Sequence, residues 1–304
     1  MRIRFECPLN FFSEVELSNF IKANEIIRDD SDPEVVVVNP GTPKFLGWDH
    51  FSKFKSLKIV ATPSTGTNHI DVARLSSMGI KTFCLLDDRL VLENIHASAE
   101  FTWLHIMNLM RKFSLAVKHV DRWREDNNEV FLRSNELNGK KIGIIGLGRI
   151  GKKIARYAEA FGMEVEFYDP YVATDDFRKV QNISDLSKCD AISINCYLTS
   201  ETKELINYGT LDSIKPGTVI VNTSRGEVVN EDYILYLVNE KGALFGADVM
   251  QNEQDISRLR MSKLLAASKS NDKIVITPHV AGATIESQFK ALSSVVALSR
   301  RFLT

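Results

Sequence analysis

The stretch Lys141-Ile-Gly-Ile-Ile-Gly-Leu-Gly-Arg-Ile-Gly151 decides the fold. Lys141–Ile145 is a short apolar run of the kind that forms a buried strand. Gly146-x-Gly148-x-x-Gly151 follows, and Ile150, Ile154, Ala158 and Phe161 then recur at helical spacing. In such a strand–turn–helix the first glycine permits the tight turn and the second lets the backbone approach a pyrophosphate. The third lets helix and strand pack closely. The phosphates would sit at the helix N-terminus, where unpaired N–H groups point outward. A second strand, Met163–Tyr168, ends in Asp169, 18 residues beyond Gly151, about where an acid meets the adenosine ribose hydroxyls. Gly146-x-x-x-x-Gly151-Lys152 nearly matches a nucleoside-triphosphate loop, but Lys153 stands where Ser or Thr would bind magnesium. Asp169 would repel a 2′-phosphate, and Pro170-Tyr171 offers no cation to attract one. The turn therefore predicts NAD rather than NADP.

Outward from this turn, strands and helices alternate along the chain. Before it, Arg2–Cys7, Glu34–Asn39, Leu57–Ala61 and Gly79–Cys84 read as strands. Ser13–Ala23 and Asp71–Met78 read as helices between them, Lys44–Phe54 contains another, and Asn39–Pro43 is a turn. After it come Ala191–Asn195, Thr218–Asn222, Ala243–Asp248 and Ile274–Thr277, then a long helix over Ala283–Phe302. Ala97–Phe113 is apolar nearly all round and predicts a buried helix between domains or between subunits. Glu125–Ser134 is charged and reads as a loop. Alternation of this kind predicts an α/β protein of two Rossmann- or flavodoxin-like, doubly wound parallel-sheet domains with a cleft between them. Their boundary is expected near Ile95.

Composition narrows the class without naming a function. The 304 residues, 44% apolar and 25% charged, are about two domains' worth of ordinary globular chain. Lys and Arg number 38 against 39 Asp and Glu, so the net charge of −1 gives no electrostatic reason to expect a nucleic-acid or membrane-surface partner. No apolar run approaches the roughly 18–20 residues of a membrane span, and MRIRFECPLNFF lacks the apolar core of a signal peptide. Cys7, Cys84, Cys189 and Cys196 form no CxxC pair, so a reduced, cytoplasmic, soluble protein is expected.

Three later stretches put reactive residues at the carboxyl ends of strands, where open α/β sheets bind ligands. Arg225 follows Val219–Asn222, with Gly226 beside it; Asp248 ends the next strand, with Glu253 in the loop beyond; His279 follows Thr277-Pro278. Singly, each reads as a surface charge or a cap. Together they suggest an acid–base centre, because a carboxylate beside an imidazole raises its pKa and orients it. An arginine can clamp a substrate carboxylate with two parallel hydrogen bonds. His50, His69, His96, His105 and His119 read as structural, and no His/Cys set has metal-ligand spacing, so no metal is expected.

These residues resemble the D-isomer-specific 2-hydroxyacid dehydrogenase family across nearly the whole chain. The likeness is strongest in Glu136–Pro170, Val219–Val249 and Thr277–Thr284 (TPHVAGAT), with Ser64-Thr-Gly-Thr-Asn-His-Ile-Asp71 similar to the family's substrate loop. Ala97-Ser-Ala-Glu100 resembles the start of its interdomain and dimer helix. The resemblance implies Arg225 as the carboxylate clamp, His279 as the acid/base and Glu253 as its orienting partner. It implies Ser64, Thr65 and Gly66 as amide donors to the substrate from the opposite domain. Cofactor contacts are implied for Gly146, Gly148, Arg149, Ile150, Gly151, Asp169, Asn195, Thr202, Thr223, Ser224, Asp248 and Gly282. It also implies residues 1–95 with 283–304 as the substrate-binding domain, 96–282 as the NAD-binding domain, and a homodimer formed through Ala97–Phe113. Gln254 stands where the family usually has Pro, and Asn195-Cys-Tyr197 where His-x-Pro is usual. The expected activity is hydride transfer between NAD(H) and a small D-2-hydroxy or 2-oxo acid. A non-catalytic, corepressor-like NAD sensor and a phosphite-type dehydrogenase are the alternatives; Glu253, where formate enzymes carry Gln, argues against formate.

Overall fold

The computed structural model describes every residue except Pro43 and Asp126. The chain forms two compact units, residues 1–95 with 283–304, and residues 96–282.

The first unit is built on β1 (Arg2–Glu6), β2 (Ile27–Arg28), β3 (Val35–Val38), β4 (Ile59–Ala61) and β5 (Lys81–Phe83). All pair in parallel, in the order β2-β1-β3-β4-β5. A parallel strand covered on both faces reads as continuous hydrophobe, and all four valines of β3 are buried. The C-terminal helix, Ile285–Leu303, lays Leu292, Val295 and Val296 against Ile3, Val35, Val37 and Ile59. Helix Glu14–Ala23 starts with a reciprocal cap: the Glu16 backbone N–H donates to Ser13, and the Ser13 N–H donates to the Glu16 carboxylate. The expected turn at Asn39 is held by the Gly41 N–H donating to Asn39 Oδ1; its last residue, Pro43, lies outside the described residues.

The second unit holds β6 (Lys141–Ile145), β7 (Glu164–Tyr168), β8 (Arg178–Lys179), β9 (Ala191–Ile194), β10 (Val219–Asn222), β11 (Leu244–Ala247) and β12 (Ile274–Ile276). They pair in parallel in the order β12-β11-β10-β9-β6-β7-β8. The chain winds outward from β6 in both directions, so the topological switch lies between β6 and β9, where such sheets open a crevice at their carboxyl ends. Helix Ala97–Arg111 buries Trp103, His105, Ile106, Leu109 and Met110 against this sheet and stops at Lys112, whose φ is 52°. Its other side is open: Leu104 is 55% exposed. Within the single chain the helix therefore buries one face and leaves the other exposed.

Two further departures from expectation are short. β2 and β8 have two residues each and carry no pattern long enough to read. Within Glu125–Ser134, expected as a loop, Asn128–Leu132 is one helical turn; Asp126 lies outside the described residues. No helix among the described residues is long and apolar enough to cross a membrane.

Candidate active site

The glycine turn follows from contacts that leave no room for side chains. Gly146 has φ +88°, and a Cβ there would lie 2.9 Å from the Cys196 backbone nitrogen, past the end of β9. A Cβ on Gly151 would lie 2.1 Å from the Gly146 carbonyl oxygen, so helix Arg149–Ala160 starts in direct contact with the turn. Gly148 differs: its Cβ direction is open, and it caps the helix with no side-chain hydrogen bond. An open approach to a helix N-terminus that carries no capping side chain is what a dinucleotide's pyrophosphate requires, so these residues fit NAD. Asp169 sits directly after β7 and is buried. Its Oδ2 accepts from the Leu147 N–H at 2.9 Å, and its Oδ1 from Tyr171 and Val172 at 2.9 and 3.2 Å. The acid predicted for the ribose thus also braces the turn. Tyr171 donates its hydroxyl to Glu201 at 2.7 Å, linking the loops after β7 and β9 on either side of β6.

Beyond β10 and β11 the second cluster assembles by backbone contact. A Cβ on Gly226 would lie 2.0 Å from the Met250 carbonyl carbon, so the turn carrying Arg225 rests directly on the loop leading to Glu253. Asn222, at the end of β10, tightens that turn. Its Oδ1 accepts from Ser224 N–H and Oγ at 3.0 and 2.8 Å, and its Nδ2 donates to the Arg225 carbonyl at 2.9 Å. Arg225 Nη1 donates to the Ser224 carbonyl at 2.6 Å, and the guanidinium makes no ion pair among the described residues. Glu253 Oε1 meets His279 Nδ1 at 2.8 Å, and Glu253 Oε2 accepts from the Met250 N–H at 3.3 Å. The hydrogen bond to Glu253 holds the His279 pKa above the usual histidine value; burial opposes it, Asp248 adds to it, and the nearby Arg225 charge lowers it. With Nδ1 occupied, Nε2 is the nitrogen that can exchange a proton with a substrate.

His279 has φ +54°, a left-handed conformation that costs a non-glycine residue on the order of 1–3 kcal/mol. Asp248, buried at the end of β11, stabilises it. Oδ1 accepts from Thr277 Oγ1 at 2.6 Å and from the Val280 N–H at 3.0 Å, and Oδ2 accepts from the Ala281 N–H at 2.7 Å. Asp248 is therefore the brace of the His279 loop, a task the sequence did not suggest.

Several of the other expected contact residues also bond within the protein. Thr202 Oγ1 donates to the Tyr197 carbonyl and accepts from the Thr199 N–H, closing its own loop. Thr223 Oγ1 meets Thr102 Oγ1 at 2.6 Å, and Thr102 also lies 2.6 Å from the Ser98 carbonyl. Asn195 follows β9 beside Gly146, with its side-chain amide turned back on Ser193. Ile150 packs into the core under the glycine turn. Gly282 is the last residue of the second unit. In the first unit, Ser64 follows β4; its Oγ donates to the Gly66 carbonyl at 2.7 Å, and its carbonyl accepts from the Leu85 N–H. The N–H groups of Ser64, Thr65 and Gly66 donate to nothing among the described residues. A cavity of about 600 Å³ opens at the amino ends of β11 and β12, lined by Leu109, Lys112, Phe131 and Leu244; it holds none of the acid–base residues.

Comparison with known proteins points to one family. The family model described as D-isomer specific 2-hydroxyacid dehydrogenase, NAD binding domain, matches residues 103–281, and that family's catalytic domain matches residues 4–87. The D-3-phosphoglycerate dehydrogenase of Bacillus subtilis is 33% identical over 254 residues, 81% of this chain and 45% of that protein. The hydroxypyruvate reductase of Thermotoga maritima is 32% identical over 279 residues, 89% of this chain and 85% of that protein. The chain spans about half the length of the phosphoglycerate dehydrogenases it matches. Among solved structures, the D-lactate dehydrogenase of Aquifex aeolicus, complexed with NAD and lactic acid, superposes with a TM-score of 0.78 at 25% identity, covering 100% of this chain and 95% of that one.

Proposed function

Because the chain belongs to the D-isomer specific 2-hydroxyacid dehydrogenase family, with NAD as its cofactor, we propose that it interconverts a D-2-hydroxy acid and its 2-oxo acid. The observation that carries this reading is the 2.8 Å Glu253–His279 pair beside an Arg225 free of any ion pair among the described residues. Bound NADH supplies a hydride to the carbonyl carbon, and NAD accepts one in the reverse direction. In reduction, protonated His279 gives its Nε2 proton to the carbonyl oxygen, which becomes the hydroxyl of the product. Neutral His279 then regains a proton from solvent. Glu253 keeps the imidazole oriented and favours its charged form, while Arg225 binds the substrate carboxylate and the carbonyl oxygen. The unengaged N–H groups of Ser64, Thr65 and Gly66 are further donors to the carboxylate. A positioned general acid contributes about 10²–10⁴-fold; positioning and electrostatics supply the rest.

In this reading the cofactor contacts are Gly146, Gly148, Arg149, Ile150, Gly151 and Asp169, with Asn195, Thr202, Thr223, Ser224, Asp248 and Gly282 around the crevice. Residues 1–95 with 283–304 bind the substrate, and residues 96–282 bind NAD. A pure NAD-sensing scaffold has no need of the His279–Glu253 pair. We further propose a homodimer, because Leu104, Phe113, Val117, Val120 and Trp123 form an exposed apolar series along and beyond helix Ala97–Arg111. An NADH-oxidation screen over 2-oxo acids of differing size and charge tests the activity. Turnover of at least one is expected, whereas NADH binding with no turnover across the panel would favour the sensor.

A further inference from the structure

His105 lies in the middle of helix Ala97–Arg111 and is 3% exposed. Its Nε2 is 3.0 Å from Thr277 Oγ1. The Thr277 hydroxyl has one proton and two acceptors in reach, Asp248 Oδ1 at 2.6 Å and the Ala247 carbonyl at 3.4 Å. The short contact to a carboxylate takes the proton. Thr277 must then accept from His105, which fixes the imidazole as the neutral Nε2–H tautomer. Nδ1 agrees: it is buried without a hydrogen-bond partner, 3.1 Å from where a Cβ on Gly246 would stand. A bare lone pair there costs less than a stranded N–H. Burial lowers the His105 pKa, in keeping with a neutral ring.

We infer that His105 is a positioning residue for the acid/base loop, acting through Thr277 and Asp248 on His279. Proton donation runs from the His105 Nε2–H to Thr277 and from Thr277 to Asp248. Asp248 in turn accepts the Val280 and Ala281 N–H groups that close the loop around His279. The chain anchors the loop on both sides of a residue held at φ +54°. Gly246 leaves the space on β11 that the ring occupies, which ties helix, sheet and loop together at one point. Losing the first donor loosens Thr277, and the Glu253–His279 contact loosens with it.

The inference rests on the dehydrogenase reading, so its test includes a measurement independent of turnover. His279 is titrated by NMR in the wild type, His105→Phe, Thr277→Val, the double variant and His105→Gln, whose amide can replace the lost donor. Glu253, Asp248 and Arg225 are the charged groups that act on His279, and none of them is altered. Both single variants should lower the His279 pKa toward the ordinary value of about 6.5. Each should reduce kcat about tenfold, the size expected for one buried hydrogen bond, while NADH affinity stays within about twofold. The double variant should be no worse than the poorer single one, as members of one chain require, and His105→Gln should recover most of the loss. A lowered melting temperature with an unmoved His279 pKa and kcat would overturn the inference, as would additive losses or no rescue by glutamine. Absence of turnover in the wild type would instead count against the dehydrogenase reading, and the NMR titration would still decide this one.

Discussion

In the proposed reaction His279 gathers most of the chemistry into one side chain, and its protonation would set the pH behaviour. Reduction needs the imidazolium, and the Glu253 hydrogen bond raises the pKa, so activity should persist to higher pH than an isolated histidine would allow. Glu253→Gln removes the largest raising influence. The alkaline limb of kcat/KM should then move to lower pH, and a rate profile against pH checks it; an unmoved limb would separate Glu253 from the acid. The same pair stabilises the folded state fully below the ordinary histidine pKa, and that contribution is lost as pH rises through the raised folded value. Asp169 carries the second prediction here. Asp169→Asn keeps an acceptor for the Leu147 N–H but removes the charge and the oxygen that accepts from the Tyr171 and Val172 N–H groups. NADH should bind about tenfold more weakly, a loss of about 1.4 kcal/mol of the size expected for a hydrogen bond to a charged group. NADPH should lose less, and equal losses for both cofactors in a binding titration would contradict the ribose contact.

Among the elements, the turns after β10, β11 and β12 decide whether the site exists. Gly226 is the joint between the first two, since its Cβ direction is filled by Met250. Gly226→Ala should cost about 1–3 kcal/mol, as overpacking does, and should reduce turnover by displacing Arg225; thermal unfolding and kinetics would show both. The strand–turn–helix around Gly146 could be read from the sequence because its glycines sit at fixed offsets and its flanks carry clear periodicity. Arg225, Glu253 and His279 could be noticed as strand-end residues, and the sheet order brings their loops together. What could not be read was the bracing. Thr277, Asp248 and His105 act through hydrogen bonds between residues far apart in sequence, and no local pattern announces such pairs. His105 looked like one more core histidine on an apolar helix. Its neighbours were the missing information.

For the molecule as a whole, the near balance of 38 cations against 39 anions gave no reason to expect broad charge-driven partners and said nothing about where charge sits. In the structure it is local: Asp169 against the glycine turn, and Arg225 beside the Glu253–His279 pair. The exposed apolar series from Leu104 to Trp123, with Trp123 76% exposed, is the surface on which the proposed dimer rests. Val117→Glu with Trp123→Glu should shift the sedimentation coefficient from dimer to monomer; a wild-type monomer would refute the proposed pairing. The central claim, that His279 is the proton donor in an NAD-linked reduction, has a more direct test. NADH oxidation by the best 2-oxo acid of the screen is compared between wild type and His279→Ala under saturating cofactor, with NADH affinity measured alongside. The account predicts that the variant loses most of its turnover, about 10²-fold or more, while binding NADH nearly as well as the wild type. Equal turnover in the two proteins would contradict it.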